Sequence, residues 1–162
     1  GTSDQQIASV CAILSSAKKP IVLLGDGANN PLCHAAINTF LEKTGYYAAY
    51  TFMGKGAISH QYERSLHCVG LGFNDVVIEA FREADCVICI GYHMVEYPPS
   101  RWNVGMKKNI IHIDVEGSEV DYHYLPEFSI RNYLNNLLLK LRQSFFKLSM
   151  LLEIFIFAIK DG

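Results

Sequence analysis

Four short segments of the sequence place glycines and single polar side chains directly after apolar runs. Glycines let the backbone approach a phosphate closely, and the N-terminus of a following helix supplies N–H donors. Ligands of α/β proteins bind beyond the carboxyl ends of the strands, so these segments predict a crevice for a nucleotide-like ligand. The alternative, favoured when each loop is considered alone, is that the glycines only form tight turns. The candidate binding residues are Gly25, Asp26, Gly27, Thr51, Gly54, Lys55, Gly91, His93 and Asp114.

The polar candidates suit different parts of such a ligand. Thr51 offers a hydroxyl, Lys55 a positive charge, and Asp114 a carboxylate that can accept from a ribose hydroxyl or an adenine amino group. No serine, cysteine or histidine stands in a pattern typical of an activated nucleophile, so the sequence predicts binding loops and no catalytic residue.

The sequence partly matches two cofactor-binding motifs but satisfies neither. Gly25-Asp26-Gly27 followed by Asn29 resembles the GDG…NN signature that holds magnesium and thiamine diphosphate, but a helix should separate the two halves. The dinucleotide pattern G-x-G-x-x-G also fails, because Asn30 stands where the third glycine should be. The six histidines show no metal-ligand spacing, so no metal site is predicted. His93 follows a strand-ending glycine, whereas His112 is expected in the core.

Hydrophobic periodicity predicts alternating helices and strands. Short apolar runs of this kind are typical of buried parallel strands, and each ends at a glycine or a polar residue. The pattern predicts an α/β fold: a doubly wound, mainly parallel sheet with helices on both faces. Strands are predicted at residues 21–24, 47–52, 66–69, 86–90 and 109–113. Helices are predicted from 3 or 4 to about 16, from 31 to 41, and from 74 or 75 to 84.

Composition narrows the class of protein. The 162 residues include 14 Lys+Arg and 16 Asp+Glu, a formal charge of −2, which excludes the basic surface of a nucleic-acid binder. Cys86 and Cys89 have C-x-x-C spacing, but on a strand they point to opposite faces and cannot share a metal or form a redox pair. Buried, reduced cysteines and the lack of a secretory signal predict a cytoplasmic protein.

The last thirty residues differ from the rest. Residues 134–159 are strongly apolar but interspersed with charges such as Lys140, Arg142 and Glu153, so no uncharged run is long enough to span a membrane. A helix apolar on nearly all sides has to be covered. We divide the chain into a domain at residues 1–132 and an atypical, helical tail at 133–162, and we expect the tail to pair with a second copy of the chain.

Three segments resemble the central domain of thiamine-diphosphate-dependent enzymes: residues 19–28, residues 51–56 and residues 84–91. Gly91-Tyr-His-Met-Val-Glu-Tyr-Pro-Pro-Ser-Arg-Trp-Asn103, followed by Ile110-Ile-His-Ile-Asp114, looks like acetolactate synthase, and closest to its catabolic, flavin-independent branch. The resemblance covers residues 5 to 130.

The resemblance implies a non-catalytic domain with a structural and interface role. The whole enzyme would condense two pyruvates to acetolactate with thiamine diphosphate and magnesium, which the missing first and third domains would bind. FAD is expected to bind weakly, because Asp26 places a carboxylate toward the diphosphate and His93 stands where the flavin-binding branch has arginine. A stand-alone nucleotide- or flavin-binding regulatory module is the alternative. An NAD-dependent enzyme of the sirtuin or deoxyhypusine synthase type is a third, weaker hypothesis.

Overall fold

The apolar runs of the sequence form a six-stranded parallel sheet. The computed structural model describes residues 4–70, 77–114 and 116–131. The strand order is β3-β2-β1-β4-β5-β6, and every neighbouring pair runs parallel. The strands are β1 (Pro20–Leu24), β2 (Tyr47–Tyr50), β3 (Ser65–Cys68), β4 (Cys86–Ile90), β5 (Asn109–Asp114) and β6 (Phe128–Arg131).

Helices cover both faces of this sheet, which confirms the predicted fold class. They are α1 (Asp4–Ser16), α2 (Pro31–Thr44), α3 (Val77–Glu83) and α4 (Pro99–Trp102). The first two pack on one face through Val10, Leu14, Ile37 and Phe40. The last two pack on the other, where Phe81 and Trp102 are buried. No helix in the described part of the chain is both long enough and apolar enough to cross a membrane.

Side chains alternate between the two faces of the sheet along the central strands, so the hydrophobic core consists of two clusters, one on each face. On β4, Cys86 and Ile88 face the side of α1 and α2, whereas Val87 and Cys89 face the other side. The two cysteines therefore point to opposite faces, as strand geometry predicted. Burial raises the pKa of each thiol to about 12, so both are uncharged near neutral pH.

Differences from the predicted elements are confined to short segments. Strand β2 ends at Tyr50, because the next carbonyl, that of Thr51, accepts a hydrogen bond from Gly54 N–H at 3.0 Å and so closes a turn. The elements α4 and β6 were not predicted, since neither segment is a continuous apolar run like those at residues 21–24 and 86–90. The tail predicted at residues 133–162 lies outside the described residues, as does the predicted start of α3.

Candidate functional site

The strand order creates a crevice between β1 and β4. The chain proceeds from β1 toward β2 and β3 on one side, and from β4 toward β5 and β6 on the other. The connections that follow β1 and β4 therefore lead toward opposite edges of the sheet, and in doubly wound sheets ligands bind at such a switch point. Strands β2, β1, β4 and β5 are consecutive neighbours, so their carboxyl ends carry all nine predicted site residues to one edge of the sheet.

The glycines of the crevice are explained by the packing of its two central loops. A Cβ atom on Gly25 would lie 2.2 Å from the carbonyl oxygen of Gly91, and one on Gly91 would lie 2.3 Å from the nitrogen of Ala28. A Cβ atom on Gly27 would lie 2.9 Å from the Gly91 Cα, and one on Gly54 would lie 2.5 Å from the Leu24 carbonyl oxygen. These close approaches between loops are sufficient to require glycine.

The backbone amides of the crevice are also engaged. Gly25 N–H donates to the Ile90 carbonyl at 3.0 Å, Gly27 N–H to the Gly91 carbonyl at 3.0 Å, and Gly91 N–H to the Ile113 carbonyl at 2.9 Å. Gly54 N–H donates to the carbonyl of Thr51 at 3.0 Å. An incoming phosphate would have to displace these bonds to use the amides as an anion cradle.

The polar centre of the crevice is Glu96, which the sequence analysis did not select. Its Oε1 accepts a hydrogen bond from the backbone N–H of Asp26 at 3.2 Å, and its Oε2 accepts one from the hydroxyl of the fully buried Thr51. A carboxylate thus binds the loop after β1 and the end of β2 at the same time. In the sequence, Glu96 belongs to the Glu96-Tyr97-Pro98 segment of the motif that carries the family resemblance. That segment gave no indication that Glu96 forms hydrogen bonds in the crevice.

His93 lies among carboxylates, as its position after Gly91 allowed. Its Nδ1 is 3.0 Å from Oδ1 of Asp26, and its Nε2 is 3.7 Å from Oδ2 of the buried Asp114. Donor atoms of Asp26, His93 and Glu96 all lie within 4.8 Å of one another. The three come from two loops that are far apart in the sequence, so residue spacing did not predict the cluster.

Lys55 does not join this cluster. Its side chain is exposed, and within the described residues it forms no ion pair with Asp26, Glu96 or Asp114. The structure therefore brings together the predicted glycines, Thr51, Asp26, His93 and Asp114, and leaves the predicted cation apart.

An aromatic cluster holds the segment that carries His93 and Glu96. The rings of Tyr92, Trp102 and Tyr124 pack with centroids 5.5–6.1 Å apart, and the Tyr92 hydroxyl donates to the carbonyl of Tyr97. Behind them His112 is buried in the core, as predicted, with Nδ1 2.8 Å from the Tyr124 hydroxyl. Burial lowers the pKa of His112, and the charge of Asp114 partly opposes that effect.

Residues 7–141 match the family model of the central domain of thiamine pyrophosphate enzymes. That match covers most of the chain and agrees with the doubly wound sheet. This chain belongs to that family. Thiamine pyrophosphate and thiamine diphosphate are two names of the same cofactor.

Among curated relatives, this central domain is similar to acetolactate synthases. It is 34% identical to the catabolic acetolactate synthase of Raoultella terrigena over 141 residues, which is 86% of this chain and 25% of the relative. It is 30% identical to the acetolactate synthase of Bacillus subtilis (strain 168) over 129 residues, 79% of this chain and 23% of the relative. It is 25% identical to the chloroplastic acetolactate synthase of Arabidopsis thaliana over 128 residues, which is 78% of this chain and 19% of the relative. The chain spans about a quarter of the length of the first two relatives.

The described residues do not fit the diphosphate and magnesium end of thiamine diphosphate. The Asp26 carboxylate faces His93, and the Asn29 side-chain amide donates to the Met53 carbonyl at 3.3 Å. The sequence Gly25-Asp26-Gly27 forms the start of a single 3₁₀ turn with no intervening helix before Asn29. The described residues therefore lack the helix that separates the two halves of the cofactor signature.

Proposed function

We propose that this chain is the non-catalytic central domain of an acetolactate synthase-like enzyme, with a structural and interface role. The main supporting observation is that one of the chain's own carboxylates spans the switch-point crevice: Glu96 accepts hydrogen bonds from the Thr51 hydroxyl and the Asp26 amide. The family match and the similarity to catabolic acetolactate synthase support the identity of the parent enzyme. That enzyme would condense two pyruvates to acetolactate and release carbon dioxide.

The parent enzyme would bind its thiamine diphosphate and magnesium through domains other than this central one. Supporting this division, the chain matches only 25% of its Raoultella relative, and its described residues do not form the diphosphate signature. Condensation of two pyruvates needs the carbanion-stabilising chemistry that thiamine diphosphate supplies when bound. The central domain would hold the flanking domains and, with its tail, a second copy of the chain.

We propose further that this domain does not use FAD. Asp26, Glu96 and Asp114 place three carboxyl groups around the crevice, and the exposed Lys55 does not pair with them. A diphosphate brought there would meet repulsion at short range, while the loop amides already have acceptors. The same engaged amides count against the alternative of a nucleotide-binding regulatory module, so we do not propose it.

A cytoplasmic location also belongs to this proposal. The five cysteines are free thiols in the structure, and Cys86 and Cys89 are buried, which is typical of a protein in a reducing compartment.

Calorimetric titration of the purified chain tests the domain assignment. Thiamine diphosphate with magnesium should give no binding heat, and the chain should consume no pyruvate, because the residues that would activate the cofactor are expected in other domains. Micromolar binding of the cofactor by the chain alone would contradict the assignment.

A domain exchange tests the structural role. Residues 4–131 would replace the matching segment of the Raoultella terrigena catabolic acetolactate synthase, and acetolactate formation would be measured without added flavin. We expect an active, colourless chimera, and an inactive one when the exchanged segment carries Gly91→Ala. A folded chimera that forms acetolactate only when FAD is added would refute the flavin-independent role.

A further inference from the structure

Asp26, His93 and Glu96 form a cluster whose donor set is that of a metal site. One imidazole nitrogen and two carboxylate oxygens lie within 4.8 Å of one another. Ligands about 2.1 Å from an ion and at right angles to each other are about 3 Å apart, and His93 Nδ1 lies 3.0 Å from Asp26 Oδ1. This one pair of donor atoms therefore already has the spacing of two ligands on the same ion, and the Glu96 oxygen lies within 4.8 Å of both.

The groups behind these ligands are those that orient a metal site. Metal-binding histidines usually direct their other ring nitrogen to a carboxylate, and ligating carboxylates are themselves hydrogen-bonded. His93 Nε2 lies 3.7 Å from Asp114 Oδ2, which is beyond hydrogen-bond distance, so Asp114 acts on the ring through its charge. The two oxygens of Glu96 accept hydrogen bonds from Asp26 N–H and the Thr51 hydroxyl. Each carboxylate oxygen accepts more than one bond, so Glu96 retains a lone pair for an ion.

The charge of the cluster favours a cation. Asp26, Glu96 and Asp114 surround a single imidazole, and neither Asp26 nor Glu96 forms an ion pair with a lysine or arginine among the described residues. His93 and Glu96 are only partly exposed, so water screens the carboxylates incompletely. A divalent ion would neutralise the two ligating carboxylates.

We propose that Asp26, His93 and Glu96 bind one first-row divalent transition ion, with water completing its coordination. The mixture of imidazole and carboxylate ligands suits Mn²⁺ or Zn²⁺ better than Mg²⁺, which prefers oxygen ligands alone. The ion would join the loop after β1 to the loop after β4 across the switch point. This site is independent of the magnesium of the parent enzyme and does not rest on the proposed function.

Mn²⁺ is the sharpest probe, because the five free cysteines bind this hard ion poorly. The full chain would be titrated with MnCl₂ while electron paramagnetic resonance follows the loss of the free-ion signal. We expect one Mn²⁺ per chain, displaced by ZnCl₂, with nitrogen coupling from the His93 imidazole in the pulsed spectrum. His93→Gln should remove that coupling and weaken binding by about tenfold or more.

The chain offers a matched control in a second histidine–aspartate pair. His123 Nδ1 lies 3.6 Å from Asp121 Oδ1, outside the cluster of three donors, so His123→Gln should leave Mn²⁺ binding unchanged. Asp26→Asn supplies a second variant at an exposed residue, where loss of folding is not expected, and it should weaken binding like His93→Gln.

Two results would overturn the site. The first is no Mn²⁺ or Zn²⁺ binding tighter than about 1 mM, the weak limit of specific association. The second is equal binding by the wild type and by Asp26→Asn and His93→Gln with wild-type circular dichroism. Either result would mean that His93 and Asp26 form only a hydrogen-bonded pair and do not bind a metal ion.

Discussion

At the scale of single residues, the two ends of one buried histidine have different surroundings. Nδ1 of His112 lies 2.8 Å from the Tyr124 hydroxyl, whereas Nε2 is buried and has no hydrogen-bond partner among the described residues. Protonation would place a charge on a ring that is only 2% exposed. Burial therefore lowers the pKa of His112, with the charge of His93 acting in the same direction and that of Asp114 against it.

The lowered pKa of His112 makes stability depend on pH. Below the ordinary histidine value of 6.5 the unfolded chain takes up a proton that the folded chain refuses, so the free energy of unfolding falls as pH decreases. Urea unfolding at about pH 7.5 and about pH 5.5, either side of that value, should show this loss, and it should be smaller in His112→Gln. The exposed His60→Gln is the control. Equal pH dependence in His112→Gln and the wild type would contradict this assignment.

At the scale of elements, the loops after β1 and β4 pack so closely that neither tolerates a side chain toward the other. Gly91 has φ +55°, and it donates to β5 while its carbonyl accepts from Gly27. Since β1 and β4 are the central neighbours of the sheet, this contact determines the shape of the crevice and the position of the segment that carries His93 and Glu96.

Gly91→Ala tests that contact. The added Cβ would lie 2.3 Å from the Ala28 nitrogen in a left-handed backbone conformation, so we expect a loss of about 3 kcal/mol or more from overpacking and strain together. The free energy of unfolding from urea titration is the measurement. Gly105→Ala is the matched control, because its Cβ would meet only Lys107 Cγ at 3.9 Å. Equal stabilities of the two variants would show that the loops move apart at little cost.

At the scale of the whole molecule, the chain matches only one part of its longer relatives. It covers about a quarter of its Raoultella and Bacillus relatives, and its family match ends at residue 141. The described sheet already has helices on both faces. We therefore expect the apolar residues predicted as a helix at 134–159 to pack against something other than this sheet. A second copy of the chain remains our prediction for what covers them, with two-fold symmetry as the commonest arrangement.

Deletion of residues 133–162 tests this assembly. The full chain should be a dimer and the shortened chain a folded monomer, because a standard interface removes about 800 Å² from each partner and that area would be lost. Light scattering gives the mass, and far-ultraviolet circular dichroism reports the sheet and helices. A monomeric full chain would refute the dimer, and an unfolded shortened chain would assign the tail to the core.

The sequence by itself determined the fold class, the central elements and the family. Residues 21–24 and 86–90 are apolar runs ending at glycine, and that local pattern was enough to predict buried parallel strands and a site at their carboxyl ends. The strand order, which brings the ends of β1 and β4 together, depended on crossover directions that no local pattern records. Only the tertiary structure joined Glu96 to Thr51 and His93 to Asp26, since their partners lie 45 and 67 residues away and meet through the sheet alone.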